Sequence, residues 1–344
     1  MQRCTACNSA TMRATLLKFI EANWYGGRRW TLLLLPFAWL FELLAITRRA
    51  AYRRGLVERP ELPLPLIVVG NITVGGTGKS PIVAWLAKQL IAQGRKPGIV
   101  SRGYGGSPSQ QPVRVDEHVD PALVGDEPVM LARQTGCPVY VCADRVAAVQ
   151  AIAAEGIDVV IADDGLQHYR LRRAVELAVV DAERGLGNRL LLPAGPLRER
   201  ANRLETVDGV LLNGSGSELP GLHFYLKAGG LKSVGGEGVA ELSDFEGRRV
   251  WSVAGIGNPE RFSRLLENAG IQVDAVPVPD HGIVSLASLR QQHPQPILMT
   301  EKDAVKYRDN KTEDCWYLPV EACFTDADAR SLLELINTRL TAIS

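Results

Sequence analysis

The sequence predicts an α/β protein: a mostly parallel sheet flanked by helices, a second, smaller α/β lobe after it, and a membrane-associated apolar helix near the N-terminus. Three observations carry this. Short apolar runs (VVG, GIVS, PVYVCA, DVVIADDG, ELAVVDA and GVLLNG) alternate with helical segments between Leu66 and Asn213, the pattern of strands buried on both faces of a parallel sheet. The first of these runs feeds a glycine-rich loop that opens into a helix. The alternation lapses across a glycine-rich stretch, Gly214–Glu246, and restarts at Arg249.

With 344 residues, 46% of them hydrophobic, the chain can build two cores. The divisions read along it are an extension and basic flank over 1–29, an apolar helix over 30–47, an α/β domain over 48–219, a β linker over 220–246 and a second α/β lobe over 247–344. Lys and Arg number 39 against 38 Asp and Glu. That balance lacks the basic excess of a nucleic-acid binder, so no nucleic-acid partner is expected. No obligate protein partner is inferred either. The six cysteines are scattered, as in a reduced compartment. Cys4 and Cys7 form a CxxC with no second pair at zinc-site spacing and read as incidental. Met12 is an alternative start, and the first eleven residues read as a disordered extension.

The N-terminal apolar run is Trp30–Thr47, WTLLLLPFAWLFELLAIT, with Arg28 and Arg29 before it and Arg48, Arg49, Arg53 and Arg54 after it. It is short for a span and contains Pro36 and Glu42. Arginines on both sides and no small-residue cleavage site argue against a signal peptide. An interfacial helix, whose arginines meet anionic headgroups, is the favoured reading. A single span and a buried core helix are the alternatives.

Leu66–Gly70 is an apolar strand, and Asn71-Ile72-Thr73-Val74-Gly75-Gly76-Thr77-Gly78-Lys79-Ser80 follows it, opening the helix PIVAWLAKQLIAQG. Strand, glycine-rich loop and helix form the setting of a Walker A loop. Glycines let the backbone N–H groups of Thr73, Val74, Gly75, Gly76, Thr77, Gly78, Lys79 and Ser80 curl around phosphate oxygens, and the helix N-terminus adds its dipole. Lys79 would reach the β- and γ-phosphates and Ser80 would offer a hydroxyl to Mg²⁺. One departure from G-x-x-x-x-G-K-[ST] is Thr73 in place of the first glycine. A second apolar strand, Ile157–Ala162, ends in Asp163, Asp164 and Gly165. Ligands of open α/β sheets sit at the carboxyl ends of strands, so one of the two aspartates should hold Mg²⁺, directly or through water.

In order along the chain come WYGG, GNITVGGTGKSP, SRGYGG, VGDEPVMLA, ADDGLQH, LLPAGPLRE, AGIGNPERF and TEKDAVK. Together these resemble the tetraacyldisaccharide 4′-kinase (lipid A 4′-kinase) family, from about Trp24 to the last helix. The resemblance implies a P-loop kinase-like fold with an inter-lobe active site and a two-stranded linker. It implies ATP and Mg²⁺ as cofactors. It also implies transfer of the γ-phosphate to the 4′-hydroxyl of a tetraacylated glucosamine disaccharide 1-phosphate, at the cytoplasmic face of an inner membrane. Ser80 stands where threonine is more usual.

On this resemblance Asp126, in the turn before VMLARQTG, is assigned as general base, with Glu127 as neighbour or metal partner. Asp126 reads equally as a helix N-cap from the residues alone. The resemblance also places Asp280-His281 in the cleft, so that His281 pairs with Asp126 once the lobes close. The catalytic set is thus Asp126, His281 and Lys79. The metal set is Ser80, Asp163, Asp164 and Glu127. For the acceptor, Arg102 and Tyr104 follow the strand PGIVS and would sit beside the P-loop, where arginine suits a phosphate and tyrosine a sugar face. Arg145, His168 and Glu199 complete the substrate set, with salt-bridging or packing roles as the plain alternatives. Arg198, Lys302 and Lys306 are further cations that can reach the cleft or lie in solvent. A membrane-associated P-loop ATPase or GTPase switch is the rival reading, but a GTPase should show an NKxD-like tetrapeptide and none occurs.

Overall fold

In the computed structural model, which describes residues 20, 22–26, 29–107, 110–116, 118–279, 281–307 and 314–342, the apolar runs pair into two sheets. The Cys4–Cys7 pair, Met12 and Asp280 lie outside the described residues. The first run of strands is β1 (Leu66–Gly70), β2 (Pro97–Ser101), β3 (Val113–Val115), β4 (Val139–Val141), β5 (Val159–Asp163), β6 (Val175–Asp181), β7 (Gly209–Asn213) and β8 (Leu222–Ala228). The second is β9 (Leu231–Ser233), β10 (Val239–Ala240), β11 (Arg249–Val253), β12 (Gln272–Val276), β13 (Ile297–Thr300) and β14 (Cys315–Leu318). A last strand, β15 (Val320–Phe324), follows.

The larger sheet has the order β15-β8-β7-β6-β1-β5-β2-β4-β3. It is parallel from β8 to β4, with antiparallel strands on both edges. β1 lies at its centre between β5 and β6 and is fully buried, as an all-apolar strand under helices on both faces must be. On one face pack the helices Lys79–Ala92, Asp126–Thr135 and Asp326–Thr341. On the other lie the helix Arg145–Ile152 and the loop carrying Leu186, Leu191 and Leu197. The smaller sheet, β10-β9-β14-β13-β11-β12, has four parallel strands and an antiparallel hairpin at one edge.

The stretch 220–246 is not a linker alone: β8 completes the large sheet, while β9 and β10 begin the small one. The chain from Val320 onward, expected in the second lobe, returns to the first. β15 pairs antiparallel with β8, and Leu332, Ile336 and Leu340 of the closing helix enter the first core. The two crossings between lobes are therefore the adjacent antiparallel pair β8 and β15.

Near the N-terminus, a 3₁₀ turn over Arg29–Leu34 leads into an α-helix over Leu35–Arg53. Pro36 falls in the first turn of that helix, where no intrahelical hydrogen bond is lost. The helix runs one and a half turns beyond Thr47. Ala38 is its buried residue, with Leu34, Leu35 and Phe41 packed around it against the first lobe. Phe37, Trp39, Leu40, Leu43, Leu44 and Ile46 are exposed. This overturns the core-helix reading. Trp30–Arg53 is long and apolar enough to cross a membrane by length and composition, and only 11% of its apolar window is buried. Glu42 does not face outward with the apolar residues but pairs with Arg200 of the body.

Candidate active site

The loop after β1 turns on Gly75 and Gly78, both with positive φ. Gly78 (φ 95°) is the N-cap of the helix Lys79–Ala92, and a Cβ there would stand 2.7 Å from Nδ2 of Asn213. Only glycine meets both demands. The loop is braced from within: Asn71 Nδ2 donates to the Gly75 carbonyl and to Thr77 Oγ1, each at 3.4 Å. Asn213, at the carboxyl end of β7, donates to the Thr77 carbonyl at 3.1 Å. Thr73 and Thr77 are buried, so the threonine in the first-glycine position is part of the packed loop.

The register of β1 against β5 brings the Asp163–Asp164 pair beside this loop. Lys79 Nζ lies 3.5 Å from Asp164 Oδ1, and Arg198 Nη1 lies 3.2 Å from Asp164 Oδ2. Burial pushes the Asp164 carboxyl up, but the charges of Lys79, Arg198 and Arg145 outweigh it and hold the group below its ordinary value. Asp163 is the opposite case. It is buried, its Oδ1 has no hydrogen-bond partner, and burial with the neighbouring charges of Glu127 and Asp164 raises it to about 7. Among the described residues, no group of three or more His, Cys, Asp or Glu side chains is arranged to hold a metal by itself. A Mg²⁺ in a P-loop site needs less, because phosphate oxygens and water fill most of its shell. The orphaned buried Oδ1 of Asp163, with Asp164 beside it, fits such a partial shell.

Asp126 is the first residue of the helix Asp126–Thr135, and the N-cap is Gly125. The capping role read from sequence belongs to its neighbour, although Asp126 Oδ1 does accept from the Glu127 N–H at 2.9 Å. From the second lobe His281 Nδ1 reaches Asp126 Oδ1 at 2.8 Å. Lys306 Nζ lies 3.4 Å from Asp126 Oδ2, and Lys302 lies 3.1 Å from Glu127 Oε1. Lys302 Nζ is also 3.4 Å from His281 Nε2. An ammonium has no acceptor, so Nε2 accepts and Nδ1 is left to donate to Asp126. Burial raises the Asp126 carboxyl, but the His281 hydrogen bond and the charges of Lys302 and Lys306 prevail, and it titrates below the usual range. Asp164 and His281 both take left-handed backbone conformations (φ 49° and 60°), two of four such non-glycine residues among those described. Strain of this kind is held where the surrounding contacts over-determine it.

The second lobe also closes onto the P-loop. A Cβ at Gly257 would come within 2.4 Å of the Gly76 N. Arg261 Nη2 donates to Asn213 Oδ1 at 3.2 Å, and Gln134 Nε2 to Glu301 Oε2 at 2.6 Å. Asp303 accepts from the Gly255 N–H at 2.8 Å and holds Lys306 at 2.8 Å.

The substrate set divides. Tyr104 is exposed, and its ring meets His281 edge-on at 5.0 Å between centroids. Arg102 is exposed on the same loop. That loop does not adjoin the P-loop strand, because β5 inserts between β1 and β2; it flanks the aspartate strand instead. Arg145 is buried, and its Nη2 donates to the carbonyls of Asp163 and Asp164 at 3.5 and 3.2 Å. Glu199 is buried as well, accepting from Tyr169 and, at 2.9 Å, from Gln167. His168 is largely buried; burial and the charge of Arg145 push it down to about 4. Gln167, Asn213, Arg261 and Asp303 went unread in the sequence. Asn213 alone had a signal, its place at the carboxyl end of a parallel strand.

Comparison with known proteins bears on this geometry. A family model described as tetraacyldisaccharide-1-P 4′-kinase matches residues 30–341. The tetraacyldisaccharide 4′-kinase of Alkalilimnicola ehrlichii is 53% identical over 287 residues, covering 83% of this chain and 87% of that protein. That of Methylobacillus flagellatus is 44% identical over 336 residues, 96% of this chain and 98% of its own length. A crystal structure of LpxK from Aquifex aeolicus in complex with ATP superimposes with a TM-score of 0.75 at 26% identity, over 91% of this chain and all of that one.

Proposed function

The chain belongs to the tetraacyldisaccharide-1-P 4′-kinase family, and from that premise we propose that it transfers the γ-phosphate of ATP to the 4′-hydroxyl of a tetraacylated glucosamine disaccharide 1-phosphate at the cytoplasmic face of an inner membrane. The observation that carries this reading is the pairing of Asp126 with His281 at 2.8 Å, across two lobes, beside a Walker A loop. ATP, the nucleotide held by the Aquifex aeolicus relative, is the donor.

The roles follow from the charges. The backbone N–H groups of 73–80 and the helix N-terminus cradle the phosphates. Lys79 moves from Asp164 to the transferring phosphoryl oxygens, and Arg198 keeps Asp164 compensated. Ser80, Asp163, Asp164 and Glu127 would hold a Mg²⁺, which supplies charge neutralisation at the phosphates. The acceptor hydroxyl meets the Asp126 carboxylate, whose Oδ1 is engaged by His281 and whose buried Oδ2 faces Lys306. Phosphoryl transfer passes through a loose transition state with late proton loss, so a carboxylate below the usual range still serves, by aligning the hydroxyl. His281 holds that carboxylate through its 2.8 Å hydrogen bond. Arg102 and Tyr104 face the acceptor at the mouth. Arg145 and Glu199 act from the interior, on the strand end and the loop.

Membrane association rests on the exposed apolar face of the helix Leu35–Arg53, with Glu42 turned inward. That face binds at the interface, where lipid-borne acceptor is presented.

The test is transfer from Mg-ATP to the tetraacyl disaccharide 1-phosphate in detergent micelles, for wild type and Asp126→Ala. Transfer by wild type that the variant loses while still binding ATP supports the acceptor class and the role of Asp126. A folded, ATP-binding wild type that modifies no such acceptor sinks the reading.

A further inference from the structure

Beside the end of the apolar helix lies a cavity of about 410 Å³ that the phosphotransfer chemistry does not use. Six arginines line it: Arg49, Arg53, Arg59, Arg172, Arg173 and Arg203, with Glu176 as the lone acid in its wall. They come from three separate stretches of chain: the end of the helix and its exit, the β5–β6 connection, and the turn before β7. No one stretch shows the cluster in sequence.

Their existing partners leave the site short of anions. Glu176 is consumed by Arg203, at 2.7 and 2.8 Å, and by Arg173 at 2.7 Å. Arg203 is only 2% exposed, and its Nε also lies 3.4 Å from Glu199 Oε2. Arg49 donates to the neutral Thr206 hydroxyl at 3.1 Å. Arg59 stacks over the Tyr52 ring, and its Nε is buried without a hydrogen bond. Among the described residues Arg172 reaches only the highly exposed Glu61. Arg53 makes no ion pair among the described residues. Six guanidinium groups answered by three carboxylates, Glu176, Glu199 and Glu61, repel one another unless a further anion joins them, and their planar forks match phosphate oxygens two at a time.

We propose that this cavity binds the phosphate of an acylated lipid, apart from the P-loop and the Asp126–His281 pair. The position selects an amphiphile: acyl chains laid along Phe37, Leu40 and Leu44 place a headgroup at the arginine end of the same helix. The chemistry is shared by two sources, the acceptor's own 1-phosphate and the headgroup of an anionic phospholipid. The first rests on the function proposed above; the second does not.

The double variant Arg53→Gln/Arg59→Gln tests it, with melting temperature and ATP affinity as controls for the fold. In neutral detergent micelles, KM is compared for the acceptor with and without its 1-phosphate. In parallel, flotation is measured with phosphatidylcholine vesicles, plain or containing about 20% phosphatidylglycerol, an amount that gives the surface an anionic potential. A rise in KM of about tenfold or more for the phosphorylated acceptor alone, the scale of lost charge-assisted hydrogen bonds, assigns the cavity to the substrate's phosphate. Loss of the preference for phosphatidylglycerol, with KM unchanged, assigns it to the membrane headgroup. If KM and flotation both match wild type, the cavity binds no lipid phosphate and the proposal is wrong. Arg53→Gln alone, at an exposed position, repeats the test without touching a buried group. Should wild type phosphorylate neither acceptor, the proposed function fails, while the vesicle measurement still decides for or against the cavity.

Discussion

Two carboxylates of the first lobe are compensated by different means. Asp164 is answered within its own lobe, by Lys79 and Arg198. Asp126 is answered almost wholly from the other lobe, by His281, Lys302 and Lys306. The P-loop side is therefore a finished object on one domain, whereas the Asp126 side exists only while the lobes are closed. Nucleotide binding can precede closure; alignment of an acceptor hydroxyl cannot. Two adjacent helix-and-strand ends thus differ in what a mutation should do to them, and that difference can be tested.

The largest effect should come from the finished side. On the proposed function, Lys79→Ala removes the P-loop cation, and transfer should fall by about a thousandfold, the upper end for loss of an electrostatic contact to a developing charge. The fold should persist, because Lys79 packs no core. Near-normal turnover would remove the P-loop from the mechanism. Asp126→Asn strikes the closed side. It keeps the shape but loses the charge that His281, Lys302 and Lys306 answer, and transfer should fall by about 10²–10⁴ with ATP affinity unchanged. A comparable loss of ATP affinity in single-turnover binding would merge the two sides into one and defeat the comparison.

What was legible in sequence follows the same division. Asn71–Ser80 and Val159–Asp164 are local: the strand, loop and helix end expected of them lie within a few residues, and the structure forms those elements. The pairing of Asp126 with His281 spans 155 positions and was reachable only through the family resemblance. Arg145, after a strand, and Glu199, in a long loop, were read as substrate contacts with salt-bridging or packing roles as the alternatives. Burial decides otherwise, and burial is set by neighbours, such as Tyr169 and the β5 carbonyls, that no local pattern names. Likewise the insertion of β5 between β1 and β2 is a choice among crossovers, invisible in strands that are all apolar. The arginine cavity is the extreme case, three stretches brought together by the packing of one helix.

Closure itself is open to a smaller perturbation. Gly257 abuts the Gly76 backbone, and a methyl there would sit 2.4 Å from the Gly76 N. Backbone cannot step aside as a side chain does, so Gly257→Ala should hold the lobes slightly apart at an overpacking cost of about 1–3 kcal/mol. Transfer should drop about tenfold, as closure becomes less populated. The Asp164 side should be spared, so Lys79-dependent nucleotide affinity should change far less. An equal loss in both would show that closure also builds the P-loop side.

The smallest effect separates Asp163 from Asp164. Asp163 titrates at about 7 in the fold against an ordinary 3.8, because burial and the charges of Glu127 and Asp164 oppose its ionisation. A carboxyl whose folded value lies above its unfolded one costs stability when ionised. That cost begins near pH 4, grows as pH rises through 7, and is constant beyond. Asp163→Asn deletes the charge, so with metal chelated the variant should melt above wild type at pH 8, by about 2–5 °C for a chain of this size. The gap should close as the pH falls from 7 toward 4, where the wild-type carboxyl is neutral too. Asp164→Asn should behave in reverse, melting below wild type at pH 8, since its charge is the partner of Lys79 and Arg198. If both variants melt in the same direction, the two neighbouring carboxylates share one environment, and the division between an uncompensated buried aspartate and a compensated one is lost.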